Sequence, residues 1–424
     1  MKTIRLGLLG CGNIGGGVVR LLEQQKDALL RREGFDFEIR KVLVRDLSKP
    51  RRVSLPPEAY TVHPEEVTDD PEIDVVLEFL GGTEPAASLL IRALENGKAV
   101  VTANKMALAA RWEEIFAAAG KGGAGLFFEA AVGGAIPVIR AITDSLQANR
   151  ITGIMGIING TTNYILSRMS AEGMAYEEAL AEAKRLGLAE PDPTADVEGY
   201  DSACKLSILT SLAFGKHITP EAVYREGISG VTPIDIACGR EMGLVLKLLA
   251  VGREGEDGIQ VRVHPAFVPA SHPLAGVNGS FNAVFIDGHA CGEMMLYGRG
   301  AGDAPTASAI VSDLIHAARG ETRLPITEGG RTTPVDDWES GYFIRLRAKD
   351  QPGVLSMASG KLAEQGVSIA SMMQKGMRDS SGFVQLVIQT HRARERAVRA
   401  ALEELDTNMV KGIVVIRVEG IENL

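Results

Sequence analysis

The chain opens with the stretch Ile4-Arg-Leu-Gly-Leu-Leu-Gly-Cys-Gly-Asn-Ile-Gly15, in which a short apolar run meets a glycine-rich turn. An apolar helical face follows from Val18 to Leu22. Gly10, Gly12 and Gly15 therefore match GxGxxG between a strand and a helix, which is the setting that a dinucleotide-binding turn requires. The pattern predicts that the helix N-terminus receives a pyrophosphate. An ordinary glycine-rich turn is the alternative.

The second predicted strand, Glu38–Val44, bears on the choice of cofactor because it ends at Arg45 and Asp46. At this point of a dinucleotide-binding fold an acidic residue binds the ribose of NAD, and a basic residue accommodates the 2′-phosphate of NADP. Arg45, with Arg51 and Arg52 close by, favours NADP(H). Asp46 keeps NAD(H) open, and a solvated charge at a strand end is the alternative role of Arg45.

Strands and helices alternate through the first third of the chain. Further strands are predicted at Ile73–Leu80, Ala99–Thr102 and Leu126–Ala131, with alanine-rich helical stretches such as Ala107–Ala119 between some of them. This alternation predicts a parallel α/β sheet.

A second region begins near Arg150. Tyr176–Leu186 and Pro305–Ala318 are predicted helices, and the pattern is strand-like from about Gly279 to Tyr297. A linker is predicted over residues 329–334. The tail beyond it is predicted to be a separate α+β module, with strands at 343–348, 384–389 and 412–418 and helices at 354–365 and 394–405.

Composition narrows the class of protein. The chain has 424 residues with 45% hydrophobic and 23% charged residues, which is ordinary globular composition, and a formal net charge of −9. We therefore expect no binding to nucleic acid or to an anionic membrane. The four cysteines form no CxxC pair, which predicts a reduced, cytoplasmic protein. His264 and His272 have no partner acid in the sequence, so a metal role is disfavoured for both.

Two segments could provide the proton that must accompany a hydride. The first is Thr102-Ala-Asn104-Lys105, which follows a strand that would end at the cofactor crevice. A lysine there can bind the nicotinamide or polarise a carbonyl group. A helix-capping Asn104 followed by a surface lysine is the alternative.

The second segment holds five acids between residues 190 and 201 and ends at Lys205. On a helix Asp201 and Lys205 would share a face, and an exposed ion pair is the ordinary explanation. The apolar residues that follow predict instead a buried helix. A buried lysine beside an aspartate stays charged and can give a proton to a carbonyl oxygen. The acids would suit a substrate with an ammonium group, and Cys204 is predicted to be a core residue.

Seven segments together resemble one family, the homoserine dehydrogenases. The resemblance covers nearly the whole chain and keeps the order of the motifs. The segments are Gly10–Gly15, Thr102–Lys105, Glu129–Pro137, Asn159–Tyr164, Glu190–Lys205, His264–Pro269 and Gly298–Ser308. The tail, with Asp350-Gln-Pro-Gly-Val-Leu355 between a strand and a helix, resembles an ACT domain.

The resemblance implies reversible reduction of L-aspartate 4-semialdehyde to L-homoserine with NAD(P)H. It implies that Lys205 or Lys105 donates the proton and that Glu190, Asp196 and Asp201 form the substrate site. The cofactor-binding residues that it implies, together with Arg45 from the strand end, are Gly10, Gly12, Asn13, Ile14, Gly15, Thr102, Lys105 and Gly302. It also implies a sodium ion held by the backbone carbonyls of Glu129, Val132, Gly134 and Ile136, and an amino-acid effector, with threonine favoured, at Asp350, Gly353, Val354 and Leu355.

The implied architecture has three parts. They are a Rossmann-type domain over 1–135 completed by the helix 305–320, an α+β catalytic and dimerisation domain over 136–304, and, after a linker over 321–340, a ferredoxin-like βαββαβ ACT domain over 341–424. A homodimer or homotetramer is expected from the family.

Three other functions stay open at this point. One is a different NAD(P) reductase that acts on an amino acid or an imine, and another is a sensor that binds NADPH and an amino acid without turnover. The third is aspartate-semialdehyde dehydrogenase, which would need a cysteine nucleophile, whereas Cys204 lies in the wrong kind of segment.

Overall fold

The computed structural model describes residues 2–51, 53–322, 330–376, 379–405 and 408–420. Arg52 and residues 323–329 of the predicted linker lie outside this description. The strands are β1 (Lys2–Leu9), β2 (Phe35–Leu43), β3 (Tyr60–Thr61), β4 (Val75–Glu78), β5 (Ala99–Thr102), β6 (Leu126–Phe127), β7 (Ile151–Ile157), β8 (Tyr224–Arg225), β9 (Leu244–Gly255), β10 (Gly258–Pro269), β11 (Phe281–Gly288), β12 (Gly292–Arg299), β13 (Glu339–Lys349), β14 (Ile369–Lys375), β15 (Phe383–Thr390), β16 (Ala393–Arg394) and β17 (Val410–Val418).

The helices are α1 (Asn13–Glu33), α2 (Glu65–Thr68), α3 (Ala86–Glu95), α4 (Lys105–Ala110), α5 (Trp112–Gly122), α6 (Val138–Arg140), α7 (Gly160–Glu172), α8 (Tyr176–Arg185), α9 (Thr194–Val197), α10 (Tyr200–Phe214), α11 (Pro233–Glu241), α12 (Asp303–Ala318), α13 (Val354–Glu364) and α14 (Glu395–Glu403). No helix among the described residues is both long and apolar enough to cross a membrane.

The chain forms two compact units, each built from separate segments. The first contains Met1–Ile158, Asp201–Val223 and Phe281–Thr333, and the second contains Asn159–Tyr200, Tyr224–Ser280 and Pro334–Leu424.

The first unit contains a six-stranded sheet in the order β3-β2-β1-β4-β5-β6. All five strand pairs are parallel. The sheet core includes Leu6 and Leu8 of β1, and α12 supplies Ile310 and Leu314 to the same cluster. This is the strand order of a doubly wound dinucleotide-binding fold, so the predicted Rossmann-type domain is confirmed.

The same unit contains an antiparallel meander in which β11 lies between β7 and β12. In the second unit β9 and β10 form a long antiparallel hairpin, and β10 pairs in parallel with β17 through Ala266 and Phe267. From β17 the sheet continues to β13, β15 and β14, with every one of these pairs antiparallel. The tail therefore has the predicted βαββαβ order, and α13 and α14 share its apolar core.

One local prediction was wrong. The stretch Leu126–Ala131 is a strand only over its first two residues, because a 3-10 turn occupies Glu129–Ala131. The stretch Ala107–Ala119 is helical as predicted, and it is divided at Arg111 between α4 and α5. The sequence analysis also missed seven strands, which are β3, β7, β8, β9, β10, β14 and β16. Three of them, β3, β8 and β16, are only two residues long, and the half-exposed β14 lacks the apolar run that indicates a buried strand.

Candidate active site

The glycine-rich turn brings the start of α1 close to the carboxyl end of β1. Gly10 has a φ of 101°, and its N–H donates to the carbonyl oxygen of Leu43 over 3.1 Å. A Cβ on Gly15 would lie only 2.9 Å from the carbonyl oxygen of Gly10. By contrast, a Cβ on Gly12 would meet nothing within 4 Å, since this residue borders open space. The glycines thus provide a close helix–strand contact and an open approach to the helix N-terminus.

A cavity of about 390 Å³ lies at this turn. Its lining joins Gly10, Gly12 and Asn13 to the basic strand end, including Arg45 and Arg51. Ile14 instead packs against the core. The free N–H groups of a 21-residue helix and a rim of basic residues fit the anionic part of a dinucleotide.

The acidic and basic residues that follow β2 differ in their contacts with the protein. The carboxylate of Asp46 accepts hydrogen bonds from the backbone N–H and the hydroxyl of Ser48, over 2.8 and 2.7 Å, and these bonds lower the pKa of Asp46. The Arg51 guanidinium lies over the Tyr60 ring at 4.7 Å from its centroid. Arg45 is exposed. The acid is therefore already hydrogen-bonded, whereas Arg45 projects into solvent at the cavity rim.

A buried hydrogen-bond network, which the sequence analysis did not predict, joins the ends of β4 and β5. Glu78 is fully buried, and burial raises the pKa of its carboxyl group. The hydroxyl of Thr102 donates to Glu78 over 2.6 Å, and the N–H of Leu80 donates to it over 2.7 Å. Asn104 accepts the N–H of Ala107 over 3.1 Å and so caps α4. The side chain of Thr102 thus ties the two strand ends together, and Asn104 has the capping role left open as its alternative.

The two candidate lysines meet at one carboxylate. Asp201 Oδ1 lies 3.2 Å from Lys105 Nζ, and Asp201 Oδ2 lies 2.7 Å from Lys205 Nζ. Lys205 also donates to the carbonyl oxygen of Ile158 over 2.9 Å. The side chain of Lys205 is 12% exposed and that of Lys105 is 32% exposed. The pair at 201 and 205 is therefore largely buried, unlike the exposed ion pair that its spacing alone would suggest.

Cys204 lies beside these residues, but its surroundings do not favour the thiolate form. Burial raises the pKa of its thiol to about 11. Its Sγ lies 3.5 Å from the carbonyl oxygen of Lys105, to which the thiol donates. A thiol of this pKa is protonated at neutral pH, which argues against Cys204 as a thiolate nucleophile.

The other two candidate substrate acids lie in the second unit. Glu190 is exposed. Asp196 accepts a hydrogen bond from the side-chain amide of Asn159 over 2.7 Å, and the same amide group caps α7 through the N–H of Thr162. The loop between them is held by Lys184, whose ammonium group donates to the carbonyl oxygen of Pro191 over 2.9 Å.

The segment proposed for a cation is held by a buried polar cluster. Both carboxylate oxygens of Glu129 accept backbone N–H groups, from Ile139 and Arg140, at 2.8 Å each. Asp313 accepts the N–H of Glu129 over 2.8 Å and pairs with Arg140 over 2.9 Å. Burial, with the nearby charge of Asp313, raises the pKa of Glu129 to about 7, and burial raises the pKa of Asp313 to about 6.

The rest of this segment leaves little space. Gly134 has a φ of 58°, and a Cβ there would lie 2.6 Å from the carbonyl carbon of Gly300. Val132 and Ile136 are buried. Both oxygens of the Glu129 side chain already accept a backbone N–H, and the backbone carbonyl oxygens of this segment are of the kind that suits a hard ion. Gly302, with a φ of 118°, is the residue before α12.

The candidate effector residues lie at the start of α13. Gly353 precedes the helix with a φ of 93°. Val354 is buried, whereas Leu355 is 44% exposed. The N–H of Asp350 donates to the carbonyl oxygen of Gly382 over 3.0 Å. The turn thus combines an exposed helix N-terminus with an exposed apolar side chain.

Comparison with known proteins gives matches along the whole chain. Family models match over residues 137–315 ("Homoserine dehydrogenase"), 10–129 ("Homoserine dehydrogenase, NAD binding domain") and 342–407 ("ACT domain"). The homoserine dehydrogenase of a Synechocystis species is 44% identical, with 95% of this chain and 96% of the relative covered. That of Mycobacterium tuberculosis is 43% identical, with 99% and 98% covered.

Solved structures give the same result. A homoserine dehydrogenase from Thiobacillus denitrificans superimposes with a TM-score of 0.91 at 42% identity, and 99% of each chain is covered. A hyperthermophilic archaeal homoserine dehydrogenase in complex with NADPH superimposes with a TM-score of 0.65 at 26% identity, with 77% of this chain and 100% of that chain covered.

Proposed function

This chain belongs to the homoserine dehydrogenase family, and from that premise we propose that it reduces L-aspartate 4-semialdehyde to L-homoserine, reversibly, in the pathway to threonine, methionine and isoleucine. The observation that carries the proposal is the contact of Lys105 and Lys205 with the two oxygens of Asp201. This arrangement holds an ammonium group in a defined place beside buried helix α10, which is what proton donation to a carbonyl oxygen requires.

A nicotinamide cofactor, when bound, supplies the hydride that reduces the aldehyde carbon. In our proposal the proton moves from Lys205 Nζ to the aldehyde oxygen, so that carbonyl, hydride and proton together give the alcohol. Asp201 and the carbonyl oxygen of Ile158 orient the Lys205 ammonium group until that step, and solvent returns the proton afterwards. Lys105 is the second candidate donor. Glu190 and Asp196 are the proposed ligands of the substrate ammonium group, with Asp201.

We propose NADPH as the preferred cofactor, with NADH as the alternative. Gly10, Gly12, Asn13, Ile14 and Gly15 would hold the pyrophosphate and its helix. Support for the 2′-phosphate comes from the exposed Arg45 and from Asp46, whose carboxylate is already bound by Ser48. Thr102, Lys105 and Gly302 would complete the cofactor site.

A sodium ion is a further proposal, with the carbonyl oxygens of Glu129, Val132, Gly134 and Ile136 as ligands. The buried polar cluster that fixes the ends of this segment is in keeping with a preformed oxygen site. We also propose that the nucleotide-binding domain spans 1–135 with 305–320, that the catalytic domain spans 136–304, and that a linker over 321–340 leads to the ACT domain over 341–424.

The ACT domain suggests an amino-acid effector, and we propose that this effector is L-threonine. Asp350, Gly353, Val354 and Leu355 would form its site, and threonine would inhibit as the downstream product. A homodimer or homotetramer in the cytoplasm is proposed with it. The four cysteines, all unpaired, are in keeping with a reducing compartment.

The test is NADPH oxidation, followed as loss of nicotinamide absorbance, with L-aspartate 4-semialdehyde as substrate. Parallel reactions use NADH, other small aldehydes and imines, and the Lys205→Ala variant. We expect turnover with the semialdehyde that is lost in the variant. No oxidation of either cofactor by the folded protein would refute the proposal, and equal turnover of unrelated carbonyl compounds would refute the substrate.

A further inference from the structure

Trp112 and His217 form a stacked pair inside the first unit. Their ring centroids lie 5.7 Å apart with an angle of 12° between the planes. Both side chains are buried, and His217 Nδ1 lies 3.4 Å from Glu113 Oε1. Phe116 extends the stack, with its ring 4.3 Å from that of Trp112. None of these residues has a part in the chemistry proposed above.

One member of the pair is tied to Lys105. Trp112 begins α5, and only Arg111 separates it from α4, whose first residue is Lys105. The N–H of Arg111 donates to the carbonyl oxygen of Ala107 over 3.1 Å, and the N–H of Ile115 donates to that of Arg111 over 3.0 Å. The break between the helices is thus hydrogen-bonded on both sides, and a shift of the indole ring would be transmitted to α4.

The other member is tied to Asp201 and Lys205. His217 follows α10 by three residues, and the N–H of the next residue, Ile218, donates to Ser211 Oγ over 3.0 Å. Ser211 in turn donates to the carbonyl oxygen of Ser207 over 2.6 Å. The turn after α10 is therefore bonded to the body of the helix. Residues 205 and 214 are about 14 Å apart along the helix axis. Because a helix is stiff over such a length, the turn after α10 and Lys205 should move together.

A third segment is held on the same histidine. The N–H of His217 donates to the carbonyl oxygen of Gly330 over 2.9 Å, and the N–H of Thr332 donates to that of His217 over 3.0 Å. Arg331 lies between them in a parallel bridge to His217. We call residues 330–332 the strap, since the chain runs through them toward the C-terminal module.

We propose that the Trp112–His217 stack, held by the strap, is a positioning device that sets the contact of Lys105 with Asp201. Because Lys105 lies on α4 and Asp201 on α10, their contact depends on how the two helices are placed relative to each other. Cys204 Sγ, 3.5 Å from the carbonyl oxygen of Lys105, is a direct but weak tie between them. The stack adds a packed aromatic contact between the same two chain segments.

This inference rests on the proposed role of the lysines, and its test distinguishes a failure of the inference from a failure of that role. His217→Ala and Trp112→Ala remove the stack, whereas His217→Phe and Trp112→Phe keep an aromatic ring in place. We expect kcat to fall roughly 10- to 100-fold in the alanine variants, the scale of a misplaced catalytic group. The phenylalanine variants should retain kcat. Loss of thermal stability with unchanged kcat in the alanine variants would overturn the proposal.

A variant cycle shows whether the effect passes through Lys105. If the stack positions Lys105, then His217→Ala should cause little further loss of kcat in a Lys105→Ala background. Full additivity of the two losses would overturn the proposal. If instead Lys105→Ala and Lys205→Ala both retain turnover, the proposed function of the lysines fails, whatever the result at residue 217.

The strap provides a variant that leaves both rings in place. Thr332→Pro removes the N–H that donates to His217, and Thr332→Ala keeps it as the matched control. We expect kcat to fall, and the fluorescence of Trp112 to change, in the proline variant only. The other tryptophan of the chain, Trp338, is present in both variants, so its emission does not account for a difference between them. Equal kcat and emission in the two variants would overturn the role of the strap.

Discussion

Lys105 and Lys205 approach opposite oxygens of a single carboxylate, that of Asp201, at 3.2 and 2.7 Å. The two lysines come from different helices, and only one of them is nearly buried. The side chain of Lys205 is 12% exposed and that of Lys105 is 32% exposed, and the Lys205 ammonium group also donates to the carbonyl oxygen of Ile158. This difference makes Lys205 our choice of proton donor and leads to the first prediction.

Replacement of Lys205 should separate acid catalysis from ion pairing. We expect Lys205→Ala to lower kcat by roughly 10²-fold or more, because an acid catalyst is lost. Lys205→Arg keeps the charge beside Asp201 but cannot release a proton at working pH, so kcat should fall about as far while the melting temperature is retained. Steady-state assays and thermal unfolding measure both effects. Near-normal kcat in the arginine variant would show that the charge suffices.

Arg45 is expected to discriminate between the two cofactors. Arg45→Ala should raise the KM for NADPH about 10- to 100-fold, the range for loss of one hydrogen bond to a charged group, and leave the KM for NADH unchanged. Lys26→Ala, a change at an exposed residue of α1 outside the cavity, is the control. A parallel rise in both KM values would mean that Arg45 does not contact the 2′-phosphate.

Glu129 is expected to make stability depend on pH. Its pKa is raised by burial to about 7 in the folded protein, so the folded state binds more protons than the unfolded state between about pH 4.5 and pH 7. Stability from this residue is therefore present at low pH and is lost as the pH rises through 7. Urea unfolding of the natural chain and of Glu129→Gln should give a free-energy difference that changes across this window and is flat above it. A constant difference would contradict the shift.

The buried ion pair between Arg417 and Glu395 should contribute to the stability of the second unit. Arg417 is 2% exposed and bonds to Glu395, and this contact helps to lower the pKa of Glu395 to about 2. Glu395→Gln leaves Arg417 with one carboxylate partner, Glu226, and we expect a loss of about 3 kcal/mol of unfolding free energy. Glu403→Gln, on the same helix, is the control for removing a charge. A loss no larger than that of the control would show that Glu226 compensates.

Asp350 is expected to affect regulation and not catalysis. Asp350→Ala should raise the threonine concentration for half-inhibition at least about tenfold, since a charged contact to the ligand is lost, while kcat without threonine stays the same. Lys361→Ala, at the other end of α13, is the matched control. Unchanged inhibition in the aspartate variant would place the threonine site elsewhere.

The sequence predicted those features that depend on local spacing. The glycine turn, the parallel sheet and the face shared by Asp201 and Lys205 follow from patterns within a few residues. The contact between Lys105 and Asp201 joins residues far apart in the chain, so spacing carries no signal for it. Glu78 could have been noticed, because it is the last residue of a buried strand at the carboxyl edge of the sheet.

Other features had no local signal. His217 and Trp112 are ordinary core aromatics in sequence, and their significance comes from the helices that they join. Asp313 lies within the predicted helix 305–318, where its acidic side chain gives no hint that Glu129 and Arg140 are its partners. Arg111 ends α4 although Ala109 and Ala110 precede it, because tertiary context can override helix propensity.

The parallel pairing of β10 with β17 has a consequence for the order of events during synthesis. β17, the last strand that the structure describes, lies between β10 and β13 in the middle of the sheet of the second unit. A ribosome must therefore deliver the chain as far as β17 before this sheet can close. Until then the edge of β10 at Ala266 and the buried Phe267 is open, because β8 covers only Arg262 and Val263. The nascent protein should be most vulnerable to aggregation and proteolysis between the synthesis of β10 and that of β17, when the first nucleotide-binding strands are already made.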